Sequence, residues 1–263
     1  MNRYLIKLPY QNEFLIITEI EKIYEDLLLK YGRYASICYE DIIIHNTIKA
    51  YSEENGYTVK YQNKVYHVPS AIQAIIELIG KDRKYDECVY AMHGAAVEKD
   101  GQAYLFLART GTGKTTLTAY LTLNGFGYIT DDCILVHKDN LNISPCSTPI
   151  QMREGGLKVL KSYFPDFDEE LKQVSDRYAL FPTNFEEKNL PIKEIFFIDR
   201  TDLNEIRELP SIDKNQLLLK SSLTGHKLSA DILRFVSKLS KVKCYELKYK
   251  DLDFVLGVIN NGL

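Results

Sequence analysis

The residues best suited to chemistry lie together in Arg109-Thr110-Gly111-Thr112-Gly113-Lys114-Thr115-Thr116. Gly111 and Gly113 can take backbone angles closed to other residues. Successive amides can then turn inward as an anion-binding nest. A helix starting near Lys114 adds about half a positive charge at its N-terminus. The Lys114 ammonium suits the β- and γ-phosphates of a nucleotide, and the Thr115 hydroxyl suits Mg²⁺. Thr110, Thr112 and Thr116 complete the candidate phosphate cradle. At average residue usage a Gly-x-Gly-Lys-[Ser/Thr] run arises by chance in roughly one chain in a hundred. Here an apolar strand precedes it and a helix follows, the context in which such a loop binds phosphate. The full pattern has Gly where this chain has Ala108, a change excluded only if φ is positive there.

Phosphoryl transfer also needs a metal partner and a base. Asp131 and Asp132 begin seventeen residues after Lys114, enough chain to climb one helix and return beside the loop. Neighbouring residues on a strand face opposite ways, so the two carboxylates are expected to divide the work. One accepts a proton from an acceptor hydroxyl, and the other, for which Asp132 is taken with Thr115, holds Mg²⁺. Ile195-Phe196-Phe197-Ile198-Asp199 offers a rival acid after an apolar strand. The Asp131/Asp132 pair is preferred because it lies closer to the loop along the chain. His93 stands one hairpin before the loop strand, and antiparallel pairing of those strands would bring it near the phosphates. A lone His beside Met and Ala also fits an ordinary strand end, so both readings stay open. Arg153 is a candidate to stabilise the transferring phosphoryl group, against a plain surface Arg at a helix start, and Arg177 is a weaker one of the same kind.

These side chains need elements to hold them. Tyr4–Leu8 alternates like a strand, and residues 19–31 carry an apolar helical stripe stopped at Gly32. Residues 41–51 are rich in β-branched side chains. Residues 57–61 and 64–68 flank a Gln62-Asn63 turn, a hairpin signal. A short helix opens at Pro69-Ser70 and closes at Gly80. Val89–Val97 reads as one strand with a glycine interruption, Glu98–Gly101 as a hairpin turn, and Ala103–Ala108 as a strand buried on both faces. A helix over Thr115–Leu123 ends at Asn124-Gly125, and residues 128–136 are strand-like around the acidic pair. Later come a strand at Ile195–Ile198, helices near 216–219 and 229–239, a strand at 243–249 and a short final helix.

The chain has 263 residues, 45% of them hydrophobic and 26% charged. That composition is ordinary for a globular protein and excludes disorder or collagen-like repeats. Such a chain buries about 70–75% of its unfolded surface and folds without staples. With 33 Lys and Arg against 36 Asp and Glu the net charge is −3, which argues against a nucleic-acid partner. No apolar run reaches the roughly 18 residues of a membrane span, and the start lacks a signal-peptide stretch. The five cysteines are odd in number and never form a CxxC pair, as in a reduced, cytoplasmic chain.

Residues 92–136, about a sixth of the chain, resemble the catalytic core of the HPr kinase/phosphorylase family. More closely, they resemble the smaller HPr-kinase-like proteins often found beside peptide-modification systems, including kinases of lasso-peptide precursors. The shared order is His-Gly, a hairpin, a strand, Gly-x-Gly-Lys-[Ser/Thr], a helix, and Asp-Asp. The resemblance implies an α/β fold whose P-loop kinase core is related to phosphoenolpyruvate carboxykinase. It implies phosphate and metal roles for Lys114 and Thr115, base and metal roles for Asp131 and Asp132, and equates His93 with the family's active-site histidine. Thr116 stands where HPr kinases carry Glu. Arg153-Glu154-Gly155-Gly156 only partly echoes their Arg-Glu-Gly-Arg-Asn segment. HPr itself and the reverse phosphorylase reaction are therefore not carried over.

The expectation is a small N-terminal α+β region, residues 1–85, followed by a P-loop catalytic domain, residues 86–263. The expected activity is Mg²⁺-dependent transfer of the ATP γ-phosphate to a Ser or Thr hydroxyl of a peptide or protein, a ribosomal-peptide precursor being one case. GTP or pyrophosphate as donor stays open. Relatives of this group are often multimeric, so a homo-oligomer is an open expectation. The rivals are a small-molecule kinase, a non-catalytic nucleotide sensor, and a structural protein with an incidental Gly-rich turn.

Overall fold

A computed structural model describes residues 1–167, 171–174, 177–223 and 229–262 of the chain. The fold is mixed α/β and divides into two compact units, Met1–Asp86 and Glu87–Leu263. No helix among the described residues is long and apolar enough to cross a membrane.

In the first unit β1 (Asn2–Ile6), β2 (Phe14–Thr18), α1 (Lys22–Tyr31), β3 (Ala35–Ile37), β4 (Thr47–Glu53), β5 (Gly56–Tyr61), β6 (Lys64–Val68) and α2 (Ala71–Lys81) follow in order. The strands form one sheet in the order β3-β1-β2-β4-β5-β6. Gln62, at φ +52°, makes the two-residue turn between β5 and β6. The Ser70 hydroxyl accepts the Gln73 N–H and caps α2, satisfying an orphan donor of the first turn. Three expectations shift here. Residues 41–46 are not strand, α1 starts at Lys22, and α2 runs through Gly80 to Lys81. An added Cβ at Gly80 would meet nothing within 4 Å and its φ is not positive, so the helix has no reason to stop there.

The second unit begins with β7 (Val89–His93), β8 (Ala95–Lys99), β9 (Gln102–Leu107), α3 (Lys114–Leu123), β10 (Gly127–Thr130), β11 (Cys133–His137), β12 (Asn142–Ser144), β13 (Ile150–Arg153) and α4 (Glu154–Tyr163). It continues with β14 (Leu171–Val174), β15 (Arg177–Leu180), β16 (Leu190–Arg200), β17 (Glu205–Glu208), α5 (Ser211–Lys220), α6 (Ala230–Leu239), β18 (Lys243–Tyr249) and α7 (Leu252–Asn261). Its main sheet runs β10-β8-β9-β16-β12-β11-β7, with β18 beside β16 and β17 beside β18. At its centre β9, β16 and β18 are parallel, so their C-terminal ends share one edge. Phe106, Phe196, Tyr245 and Leu247 pack with Leu117 and Leu121 of α3, Leu160 of α4 and Val255 of α7. Leu105, Ile195 and Cys244 pack with Leu218 of α5 and Phe235 and Leu239 of α6. Burial on both faces explains the near-continuous apolar runs of β9 and β16.

Val89–Val97 is two strands, split at Gly94. β7 pairs with β11, whereas β8 pairs with β9. The β8–β9 hairpin turns on Asp100 and Gly101, both at positive φ, the backbone that two-residue hairpins favour.

Candidate functional site

The Gly-rich loop leaves β9 at Leu107 and closes onto α3. Gly111 sits at φ +90° and Gly113, the residue before the helix, at φ +96°. Ala108 does not have a positive φ, so it is accommodated where the full motif has Gly. The Thr112 Oγ1 donates to the Arg109 carbonyl at 2.8 Å. Thr110 and Gly111 are exposed, Thr112, Gly113 and Thr115 are half-buried, and Thr116 is buried on the first turn of α3. The far end of α3 is fixed as well. The Gly125 N–H reaches the Thr122 carbonyl and the Phe126 N–H the Leu121 carbonyl, the paired bonds of a glycine-terminated helix.

Lys114 is only 6% exposed. Its Nζ donates to the carbonyls of Ala108, at 2.9 Å, and Arg109, at 3.2 Å. The loop therefore wraps the ammonium. Burial pushes its pKa down, and the carboxylates of Asp131 and Asp132 pull it back up. Both acids are thus close enough to act on this one cation.

The acidic pair is not on a strand. It forms the bend between β10 and β11, which do not pair with each other. Thr130, itself buried, closes the bend by donating its hydroxyl to the Cys133 carbonyl at 3.0 Å. The two acids still differ in setting, because Asp131 is half-buried and Asp132 exposed.

His93 reaches the site by a route other than the expected hairpin. It ends β7, opposite Cys133 of β11. Its Nδ1 lies 3.4 Å from Asp132 Oδ1 and 3.2 Å from the Asp132 carbonyl oxygen. The His93 backbone N–H donates to the Ser221 carbonyl at 2.7 Å, and the Gly94 backbone N–H to the Asp132 carbonyl at 3.4 Å. An added Cβ at Gly94 would come within 2.6 Å of Leu107, 2.7 Å of Ile134 and 2.8 Å of the Phe106 carbonyl oxygen. Only glycine lets β7 pass that close to the loop strand.

Arg153 is exposed at the start of α4, where its side chain makes no capping bond. Three residues on, Gly156 lies against Thr116, whose Oγ1 would be 2.6 Å from an added Cβ. This ties the start of α4 to that of α3. Arg177 is directly opposite Arg153 across β13 and β15. Its neighbours Ser175 and Asp176 lie outside the described residues. Asp199 is exposed near the C-terminal end of β16 and acts on Tyr249, whereas the carboxylates that act on Lys114 are Asp131 and Asp132.

Sequence reasoning missed Thr130, the Ser221 carbonyl and Tyr249. Tyr249 ends β18, and its hydroxyl donates to the Thr112 carbonyl at 3.4 Å. No local pattern marks it, since 137 residues separate the two partners. Among the described residues no group of three or more His, Cys, Asp or Glu side chains could hold a metal ion. The Thr115 hydroxyl and the Asp131 and Asp132 carboxylates are hard oxygen donors. That set fits a Mg²⁺ completed by substrate phosphates and water.

No family model matches the sequence, and no curated protein matches it. Among solved structures the chain is similar to the Hpr(Ser) kinase/phosphatase from Coxiella burnetii, with a TM-score of 0.32 and 12% identity. The match covers 65% of this chain and 94% of that one.

Proposed function

We propose that the protein is a phosphotransferase that moves the γ-phosphate of ATP to a Ser or Thr hydroxyl of a peptide or protein. One observation carries the reading. A buried lysine at the head of α3, wrapped by a loop with two glycines at positive φ, has two carboxylates within electrostatic reach. A wrapped cation over a helix N-terminus suits a polyphosphate, and the acids supply what a bare anion site lacks.

In this reading the loop amides and Lys114 bind and orient the phosphates. Lys114 exchanges its bonds to the Ala108 and Arg109 carbonyls for bonds to phosphate oxygens. Thr115 and Asp132 would hold Mg²⁺, which supplies charge neutralisation at the phosphates. Asp131, the more enclosed acid, accepts the acceptor's proton at a carboxylate oxygen. His93 holds Asp132 through Nδ1 and so fixes the bend. Arg153, exposed at the start of α4, would add positive charge to the transferring phosphoryl group. Catalysis of this kind is mostly positioning and charge stabilisation. The peptide acceptor and a cytoplasmic setting belong to the same proposal, supported by the order of motifs in residues 92–136 and by the cysteine pattern.

The test is intact-mass spectrometry of candidate acceptor peptides incubated with the protein and ATP·Mg²⁺. One added phosphate is expected with the wild type. Lys114→Ala and Asp131→Asn should each lower transfer by roughly a hundredfold or more while retaining the wild-type melting temperature within a few degrees. Unchanged transfer by both variants overturns the assignment.

A further inference from the structure

The hydroxyl of Tyr249 reaches the Gly-rich loop from beneath. Leu107, the last residue of β9, is opposite Phe197, and β16 and β18 run on until Arg200 faces Tyr249. β18 therefore ends level with the loop. Tyr249 is 1% exposed, and its ring lies in the apolar layer beneath α3 and α7. Only its oxygen meets polar surroundings. That oxygen lies 3.4 Å from the Thr112 carbonyl oxygen and 3.0 Å from where a Cβ on Gly113 would stand. The first distance is to the peptide that joins Thr112 to Gly113, and the second puts the hydroxyl beside the Gly113 Cα at the end of that peptide. Burial pushes the phenol up to about 12, Arg200 opposing and Asp199 adding, so the hydroxyl stays a donor at neutral pH.

The peptide unit is planar and trans, so its C=O and N–H point in opposite directions. A carbonyl drawn toward Tyr249 sends the Gly113 N–H to the other side of the loop. Glycine at 113 suits φ +96°, and a side chain there would also press on the hydroxyl, 3.0 Å away.

We propose that Tyr249 is a positioning residue for a polyphosphate: by holding the Thr112 carbonyl it aims the Gly113 N–H at the bound phosphate. This rests on the phosphate-binding reading of the loop and adds a residue to it. The hydroxyl touches no substrate and acts through the peptide.

The experiment is calorimetric titration of ATP·Mg²⁺ into the full chain. Tyr249→Phe keeps the ring and should bind roughly five- to tenfold more weakly than wild type, the worth of one hydrogen bond. Its melting temperature without ligand should stay within about 3 °C of wild type. Gly113→Ala should lose less affinity in the Tyr249→Phe background than in wild type, because the contact with the hydroxyl is gone. Additive losses would show that the hydroxyl and the Gly113 backbone do not act on one another. In the wild type, amide hydrogen exchange at Gly113 should slow on adding ATP·Mg²⁺, a measurement that needs no variant. Binding within twofold of wild type, additive losses or an unprotected Gly113 amide each overturn the proposal while leaving the site reading in place. A wild type that fails to bind ATP·Mg²⁺ removes the site reading, and the role of Tyr249 with it.

Discussion

Gly94 is held between Leu107, Ile134 and the Phe106 backbone with no room for a methyl group. Its neighbour His93 owes its place beside Asp132 to that close passage. Gly94→Ala should therefore overpack the junction and destabilise the protein by about 1–3 kcal/mol. Thermal unfolding should fall by several degrees, and an unshifted transition would show that β7 does not need the tight crossing. The sequence displayed His93 and Gly94 together but not their use. Residue type makes Lys114 and the two glycines legible, because few other residues can do what that loop asks of them. The partner of His93 depends on which strand β7 joins. Pairing is a long-range choice that no local period encodes. Thr130 shows the same limit, since a hydroxyl that closes a bend looks in the sequence like any other threonine.

Elements were legible in proportion to how far their pattern is local. α3 and the β8–β9 hairpin carry their own punctuation, in Gly125 and in Asp100-Gly101. α4 carries little, as it opens on Gly155 and Gly156, weak helix formers, and only its start at Arg153 was expected. Gly156 answers to the neighbour, since a side chain there would strike Thr116, whereas one at Gly155 would meet nothing within 4 Å. β16 holds a second tension. Glu194 is 3% exposed, opposite Lys243 on one side and Tyr104 on the other. Burial raises its pKa, with Lys243 and Lys193 pulling it back. A carboxyl whose pKa is raised on folding favours the native state only while protonated in it. That contribution is complete below the ordinary carboxylate range and is lost as pH rises through the raised value. Glu194→Gln should thus be more stable than wild type at pH 7, and the gap should close as pH falls toward 4. Chemical denaturation at several pH values reads this directly, and a gap independent of pH would mean that Glu194 folds with its charge compensated.

Across the chain, each residue assigned to the site lies between His93 and Tyr249, inside the unit Glu87–Leu263. That unit has its own sheet, covered on both faces by helices. A body with its own core can fold alone. The fragment 87–263 should therefore unfold cooperatively and bind ATP·Mg²⁺ with the affinity of the full chain. At a hundred times the dissociation constant the nucleotide should stabilise the fragment and the full chain alike by about 2.7 kcal/mol. Equal thermal shifts would confine nucleotide binding to this unit. A fragment that folds but gains nothing from nucleotide, beside a full chain that does, would place part of the donor site in the N-terminal unit. No motif in residues 1–86 marks such a contribution, so that outcome would reveal a determinant the sequence does not display.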